Sequence, residues 1–177
     1  MDQPARPEPV VGVVGVRKTY ESEGMPVRAL RGVDFEMAPG EFVAVMAVFG
    51  APFPQPDHAV RALQTARAMH ATQDELNRRW RAASLPPFHI GIGLSTGEVA
   101  AALLGSEERL EYTVVGDTVN LAQRLQQWAG PGQIVLSEPT WAALGTAVDA
   151  EHLAPAPVKG RSAAVGAYRI TTGPPGG

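Results

Sequence analysis

The pattern of hydrophobic and polar positions changes character near residue 57. Before that point, three runs predict short strands, at 10–16, 28–37 and 41–48, because they are β-branched, alternating or nearly all apolar. A Pro-Gly pair at 39–40 marks a turn before the third run. The proline-rich segment 51–56 then interrupts regular structure, since proline lacks an N–H and restricts the residue before it.

Beyond that segment, helical and strand-like periodicities alternate. Asp57 stands where an N-cap belongs, and apolar residues at helical spacing predict a helix that continues to Ala83. This alternation of elements is typical of the α+β and α/β classes. The remaining predicted elements are a strand at 88–95, a tight turn at Thr96-Gly97, a returning strand at 98–104, a strand at 112–115, a helix capped by Asp117 or Thr118, a strand at 133–136, a helix at 138–144 and a terminal hairpin over 158–170 that turns near Gly160-Arg161.

Composition narrows the range of partners and locations. The formal net charge is −3 and the basic residues are scattered, which argues against nucleic acid or an anionic membrane as a partner. The chain has no cysteine, and its four histidines show no metal-ligand spacing. No apolar run approaches the roughly 20 residues that span a bilayer, and the first ten residues lack the order of a signal peptide. A cytoplasmic location is therefore expected.

The strongest local candidate for chemistry lies in the predicted helix after Gly116. Asn120 and Arg124 are four residues apart and share a helix face, rotated away from the apolar stripe Leu121, Leu125 and Trp128. An amide beside a guanidinium suits a substrate that develops negative charge on phosphate oxygens. The same spacing also fits an ordinary solvated helix face, so spacing alone leaves both interpretations open.

Longer motifs around this pair give the chain a family resemblance. The run LEYTVVGDTVNLAQRL at 110–125 resembles a signature of the class III adenylate/guanylate cyclases, and four further stretches agree in the same order. The resemblance covers about residues 44–170 and implies an α+β, ferredoxin-like nucleotide cyclase fold, an α/β sandwich that is truncated at its N-terminal side. The four further stretches are AVMAVFGAP at 44–52, GIGLSTGEV at 91–99, PGQIVLSE at 131–138 and VKGR at 158–161.

The resemblance implies roles for individual residues. Asn120 and Arg124 match the pair that orients the ribose and stabilises charge on the α-phosphate, and they are the candidate catalytic residues. Thr113 matches the position that reads the purine edge, where threonine implies adenine, and Lys159 matches a lysine that contacts the terminal phosphates. The implied reaction is the conversion of ATP, or of GTP in the guanylate branch, into a cyclic nucleotide and pyrophosphate. Family active sites form at a dimer interface, so a homodimer or a heterodimer with an intact cyclase domain is implied.

Departures from the family pattern concern the metal ions. The family uses Mg²⁺ or Mn²⁺ held by two aspartates on different strands, and the first of these strands is missing here. The second aspartate corresponds to Val43, which offers no oxygen ligand. Ala102-Leu103 also stands where a Gly-Asn pair is usual. The expectation is a chain that retains no metal ligands and is inactive by itself, since two-metal catalysis depends on those carboxylates.

The first part of the chain resembles a different family. Residues 16–20, 27–37 and 39–46 are similar to the start of an ABC transporter ATP-binding protein, in which Tyr20 matches the aromatic residue that stacks on adenine. No GxxxxGK[ST] P-loop follows, so hydrolysis by an ABC mechanism is excluded. The predicted organisation is a disordered tail at 1–9, ABC-like strands at 10–46, a partial cyclase domain at 44–170 and a disordered tail at 171–177.

Three functional hypotheses remain open at this stage. The chain is a nucleotide-cyclase domain of cyclic-nucleotide signalling that completes its site with a partner, a pseudoenzyme that binds nucleotide or a cyclase without turnover, or a chimeric gene product. The last would leave a sheet edge and a hydrophobic face uncovered, which favours aggregation.

Overall fold

The computed structural model describes residues 11–22, 25–37, 45–51, 54–106, 109–145, 148–158 and 163–171. The chain divides into two compact units, Met1–Ala47 and Val48–Gly177. The described elements, in chain order, are β1 (Val11–Ser22), β2 (Met25–Met37), α1 (His58–Ala82), β3 (Ile92–Leu94), β4 (Ala100–Ser106), β5 (Arg109–Val115), α2 (Asp117–Trp128), β6 (Gln133–Ser137), α3 (Glu138–Leu144), β7 (Glu151–Ala156) and β8 (Val165–Thr171).

The first unit contains one long antiparallel hairpin, β1 with β2. It confirms the strands predicted at 10–16 and 28–37 from Val11 onward, and both are longer than predicted. The third predicted strand, at 41–48, is wrong over 45–48: this segment is not a strand, and Val45 is 84% exposed. An apolar run becomes a strand only where a neighbouring strand satisfies its backbone groups, and composition alone does not reveal that neighbour. Residues 41–44 lie outside the described part.

The second unit is built on a four-stranded sheet in the order β3-β6-β8-β7. β3 runs parallel to β6, whereas β8 runs antiparallel to both β6 and β7. The central strand β6 alternates between two hydrophobic clusters, as the twofold periodicity of a strand requires. Val135 packs with residues of α2, and Ile134 and Leu136 pack with residues of α1. The sheet therefore has a helix layer on each face.

Strands β4 and β5 form a separate antiparallel hairpin. The prediction that 88–95 and 98–104 lie as successive strands around a turn holds only in part, because β3 covers just Ile92–Leu94 and pairs with β6. Thr96 and Gly97 lie in the irregular connection between β3 and β4.

The terminal hairpin is displaced from its predicted position. Its first strand is β7, upstream of the predicted start at 158, and the predicted turn at Gly160-Arg161 lies outside the described residues. Pro155 in β7 hides this strand from sequence reasoning, because proline removes a donor from the ladder. The proline is tolerated since β7 is the outer strand beside β8, where the register shifts between Leu153 and Ala156. Thr171, the first residue of the predicted C-terminal tail, is the last residue of β8.

The predicted helices are confirmed with small shifts at their starts. Asp57 is the N-cap of α1, but its carboxylate accepts from Arg61 Nε at 2.8 Å and makes no capping bond to the backbone. That hydrogen bond lowers the pKa of Asp57. The N-cap of α2 is Gly116, one residue before the predicted Asp117. Within the described residues, no helix is both long and apolar enough to cross a membrane.

Two buried amides of α1 bind the backbone of the segment that precedes β3. Asn77 is 2% exposed and binds the backbone of Phe88 twice: its Nδ2 donates to the carbonyl at 2.7 Å, and its Oδ1 accepts from the N–H at 3.0 Å. Gln73 Nε2 donates to the same carbonyl at 2.5 Å. These side chains satisfy the backbone groups of Phe88 where no strand partner does, so α1 holds the predicted strand at its first residue.

Replacing Asn77 by leucine should therefore destabilise the second unit. Both hydrogen bonds to the Phe88 backbone are lost, and each such bond contributes about 0.5–1.5 kcal/mol net. Urea denaturation followed by circular dichroism measures the change in the free energy of unfolding. The matched control is Arg78→Ala, which removes an exposed ion pair with Glu75 and should cost less than about 1 kcal/mol. Equal effects of the two substitutions would contradict the assigned role of Asn77.

Stability should also depend on pH through His70, which is 3% exposed. Burial lowers the pKa of His70, and a hydrogen bond with the backbone of Ile90 opposes this effect only in part. Below the unfolded-state pKa of about 6.5, the unfolded chain binds a proton that the folded chain does not, so the free energy of unfolding falls as pH decreases. Chemical denaturation between pH 7.5 and 5.0 should show this slope, and His70→Gln should reduce it. The control is His89→Gln at an exposed histidine, which should keep the slope.

Candidate functional site

Helix α2 carries the candidate catalytic pair and is fixed to the sheet by its apolar stripe. Leu121 is 4% exposed and Leu125 is fully buried, and both pack in one cluster with Val135 of β6. Trp128 packs against the same cluster while remaining partly exposed. The stripe predicted from the sequence is confirmed. Because the stripe is fixed, the faces of α2 that carry no stripe residue point away from this cluster.

Two glycines of the β3 segment let α2 approach the sheet closely. A Cβ at Gly93 would overlap the carbonyl oxygen of Ala122 and the amide nitrogen of Gln126, both in the backbone of α2. A Cβ at Gly91 would overlap the carbonyl oxygen of Ala129 and lie 2.9 Å from its Cβ. The helix backbone therefore rests directly on the strand, and the alternation Gly-Ile-Gly presents both glycines to the same side.

The candidate pair lies on the face of α2 away from this contact. Asn120 is exposed, and Arg124 is partly buried, with its Nη1 donating to Gln127 Oε1 at 3.0 Å. The bond to Gln127, on the next turn of the same helix, orients the guanidinium along the helix surface. The remaining guanidinium donors and the Asn120 amide can then be offered to an anionic group from one direction. The geometry agrees with the predicted projection of both side chains.

The other two predicted site residues receive less support from the structure. Thr113 lies in β5 opposite Ala102 of β4, and its side chain is outside the described part. Lys159 lies outside the described residues altogether. The structure therefore places Asn120 and Arg124 one turn apart on α2, and the roles of all four residues stay predictions.

A groove beside the start of α2 was not predicted from the sequence. It has a volume of about 580 Å³ and is lined by Asp117, Glu138, Thr96 and Ser137, together with residues 163–166. Asp117 and Glu138 are the first residues of α2 and α3, where acidic side chains complement the positive end of a helix. This stabilisation of the two helix starts is enough to explain why acidic residues stand there. In the sequence, each carboxylate stands at the start of a predicted helix. That position gives no signal that the two helix starts lie beside one groove.

Comparison with known proteins decides the family. The sequence profile of the adenylate and guanylate cyclase catalytic domain matches residues 43–172. The chain belongs to this family. Adenylate cyclase 1 of Rhizobium meliloti (strain 1021) is 33% identical to it over 129 residues, which cover 72% of this chain and 19% of that enzyme.

Solved cyclases confirm the fold. The adenylyl cyclase CyaB from P. aeruginosa superposes with a TM-score of 0.65 at 29% identity, covering 72% of this chain and 66% of that chain. The guanylyl cyclase Cya2 gives a TM-score of 0.61 at 30% identity, covering 89% of this chain and 68% of that chain. The mixed α+β architecture is that of the nucleotide cyclases. The resemblance of residues 10–46 to an ABC ATP-binding protein stays a prediction.

The residues of this cyclase domain do not fit a divalent metal ion. Cyclases of this class require oxygen ligands for Mg²⁺ or Mn²⁺, and Mg²⁺ demands near-octahedral geometry. Across the described segments, no three His, Asp, Glu or Cys side chains come together as a ligand group. The position that matches the second family aspartate is Val43, which supplies no ligand. The groups that α2 does offer, the Asn120 amide and the Arg124 guanidinium, suit the binding of anionic oxygens.

The close contact between α2 and β3 can be tested directly. Gly93→Ala should force the helix away from the strand, and overpacking of this kind typically costs about 1–3 kcal/mol. Thermal and urea unfolding measure the loss. Gly166→Ala is the matched control in the same sheet, because its Cβ would lie 3.8 Å from His152 Nε2, an ordinary contact. If Gly93→Ala is tolerated as well as Gly166→Ala, the helix does not rest on Gly93.

Proposed function

We propose that this chain is one half of a composite nucleotide-cyclase active site, acting on ATP together with a partner cyclase domain. It contributes Asn120 and Arg124, and the partner contributes the metal-binding carboxylates. The observation that carries the proposal is the exposed Asn120/Arg124 face of α2, held in place by the buried stripe and by the glycines of β3. Val43 is the reason why the site needs a second chain.

The proposed reaction is ring closure of ATP. The ribose 3′-oxygen loses its proton and forms a bond to the α-phosphorus, while the bond between that phosphorus and the bridging oxygen of the pyrophosphate breaks. Cyclic AMP and pyrophosphate result. Negative charge on the α-phosphate oxygens is stabilised by the Arg124 guanidinium, and the Asn120 amide orients the ribose. Donors that are already oriented stabilise such charge most effectively, because little reorganisation is needed during the reaction.

Adenine is proposed as the base because of Thr113. Threonine at the position that reads the purine edge is the adenine-type choice in the family resemblance, and the similar adenylate cyclase from Rhizobium meliloti supports the same branch. The chain spans 19% of that enzyme's length, so regulation and location of the whole protein are separate questions. A cytoplasmic location remains our expectation from composition.

The proposal is tested by complementation. The partner is an intact cyclase domain in which the residues equivalent to Asn120 and Arg124 are both alanine, so that it keeps its aspartates and has no activity. Adding this chain in equimolar amount should restore cyclic AMP formation from ATP with Mn²⁺. Arg124→Ala should reduce the restored rate by about 10²–10³-fold, the usual cost of losing a preorganised charge-stabilising donor. Arg78→Ala, at an exposed ion pair on α1, is the control and should leave the rate unchanged.

Two results would contradict the proposal. If the two chains associate, as gel filtration would show, and no cyclic AMP forms, the composite site does not exist. If this chain alone forms cyclic AMP at high concentration, and Arg124→Ala abolishes that activity, the metal ligands come from this chain and the need for a partner is refuted.

A second candidate function is nucleotide binding without turnover, which Val43 favours. In that case ATP should bind the isolated chain with an affinity that Arg124→Ala weakens, while every partner mixture stays inactive. Isothermal titration calorimetry measures this binding, and the activity of the partner mixtures separates the two candidates.

A further inference from the structure

One contact at the start of α2 is distinct from the apolar stripe. The Thr118 hydroxyl donates to the backbone carbonyl of Glu98, with an Oγ1 to O distance of 2.8 Å. Residues 118, 121, 125 and 128 follow a single helix face, so Thr118 extends the packed stripe by one turn toward the N-terminus. Asn120 comes two residues after Thr118, which is about 200° around the helix. Thr118 and Asn120 therefore lie on opposite sides of α2.

The connection between β3 and β4 that receives this bond is shaped for it. Gly97 lies directly under the Thr118 side chain, and a Cβ there would be 2.5 Å from Thr118 Oγ1. Gly116, the N-cap of α2, has φ = 153°, a conformation that favours glycine, and its Cβ would be 3.4 Å from the Glu98 carbonyl oxygen. Two glycines thus allow the first turn of α2 and this connection to meet closely.

The connection is fixed on its other side by buried hydroxyl groups. Thr140 Oγ1 lies 3.0 Å from Thr96 Oγ1 and 2.9 Å from Ser137 Oγ, and Thr96 N donates to Ser137 Oγ at 3.4 Å. Thr140 and Ser137 are 2% and 1% exposed. The carbonyl that accepts from Thr118 therefore belongs to a segment tied to the start of α3, and not to a free loop.

We propose that Thr118 is a positioning residue that sets the rotation of the first turn of α2 and thereby aims Asn120 and Arg124. The apolar stripe fixes the helix near Leu121 and Leu125 but offers no directional bond, since hydrophobic packing is non-directional. The bond from Thr118 to Glu98 supplies that direction at the end of α2 nearest Asn120. The effect of Thr118 on catalysis rests on the proposed function, whereas its effect on the position of the first turn of α2 does not.

Activity provides the first test, with the complementing partner described above. Thr118→Val keeps the size of the side chain and removes the donor, and Thr118→Ser keeps the donor. The valine variant should lower kcat of the restored reaction by about tenfold or more, since small misplacements of catalytic groups can cost up to about 10²-fold. Its KM for ATP should stay within about twofold, because Thr118 provides no group to the nucleotide. The serine variant should stay within about threefold of the unaltered chain.

Backbone amide exchange provides the second test, on the chain by itself. The N–H groups of Val119 and Asn120 donate to the Gly116 carbonyl at 3.1 and 3.3 Å. In Thr118→Val their exchange should accelerate at least about tenfold, while Thr118→Ser restores it. Gly97→Ala, which displaces the same hydroxyl from the opposite side, should reproduce the effect and covers the case in which the valine variant does not fold. Thr72→Val, at an exposed threonine on α1, is the control for removing a hydroxyl elsewhere.

The outcomes separate this inference from the proposed function. If the unaltered chain fails to restore activity, the proposed function falls, and the amide exchange still decides whether Thr118 fixes the first turn. Unchanged exchange of both amides in Thr118→Val and in Gly97→Ala would overturn the inference. So would a serine variant that is as impaired as the valine variant, because packing alone would then explain Thr118.

Discussion

The close seating of α2 on the β3 segment is the constraint on which the rest of the cyclase unit depends. Glycine at residues 91 and 93 removes the side chains that would keep the helix at the usual distance from a sheet. The helix then buries Leu121 and Leu125 against β6, and the same sheet packs α1 on its other face. A shift of α2 would therefore disturb the core and the direction of the Asn120/Arg124 face together, so stability and site geometry are determined by the same contact.

Local periodicity was sufficient to predict most of this arrangement. The 25-residue helix α1, the stripe of α2, the strand β6 and the short helix α3 all follow patterns that are visible in the sequence, because apolar residues at the period of each element pack into one of two hydrophobic clusters. The exposed face with Asn120 and Arg124 follows from the same stripe. Sequence reasoning failed where backbone partners decide the outcome. The backbone of Phe88 binds the side-chain amides of Asn77 and Gln73 in place of a strand partner, and the outer position of β7 allows Pro155.

The groove beside α2 illustrates a different limit of sequence reasoning. Thr96 and Ser137 line the groove from separate elements, and nothing in the local sequence of either indicates that they meet. They come together because the parallel pairing of β3 with β6 places the carboxyl ends of both strands at one edge. Long-range pairing of this kind has no local periodicity, so a single sequence gives no signal for it. The family resemblance supplied the expected roles of single residues. The contacts between distant segments that hold those residues became visible only in the fold.

The residues that hold α2 in place are different from the residues that are proposed to act on the nucleotide. A cyclase domain can therefore lose one of these groups and keep the other. The groups that hold α2 are glycines, leucines and hydroxyls, and none of them is a metal ligand. Val43 offers no oxygen ligand, whereas the contacts that hold α2 lie within the second unit and involve other residues. Since an active site at a dimer interface takes its metal ligands and its charge-stabilising donors from different chains, loss of one set leaves the other set usable. Under the proposed function, association with a second cyclase domain would supply what residue 43 lacks, and it is the property on which turnover would depend.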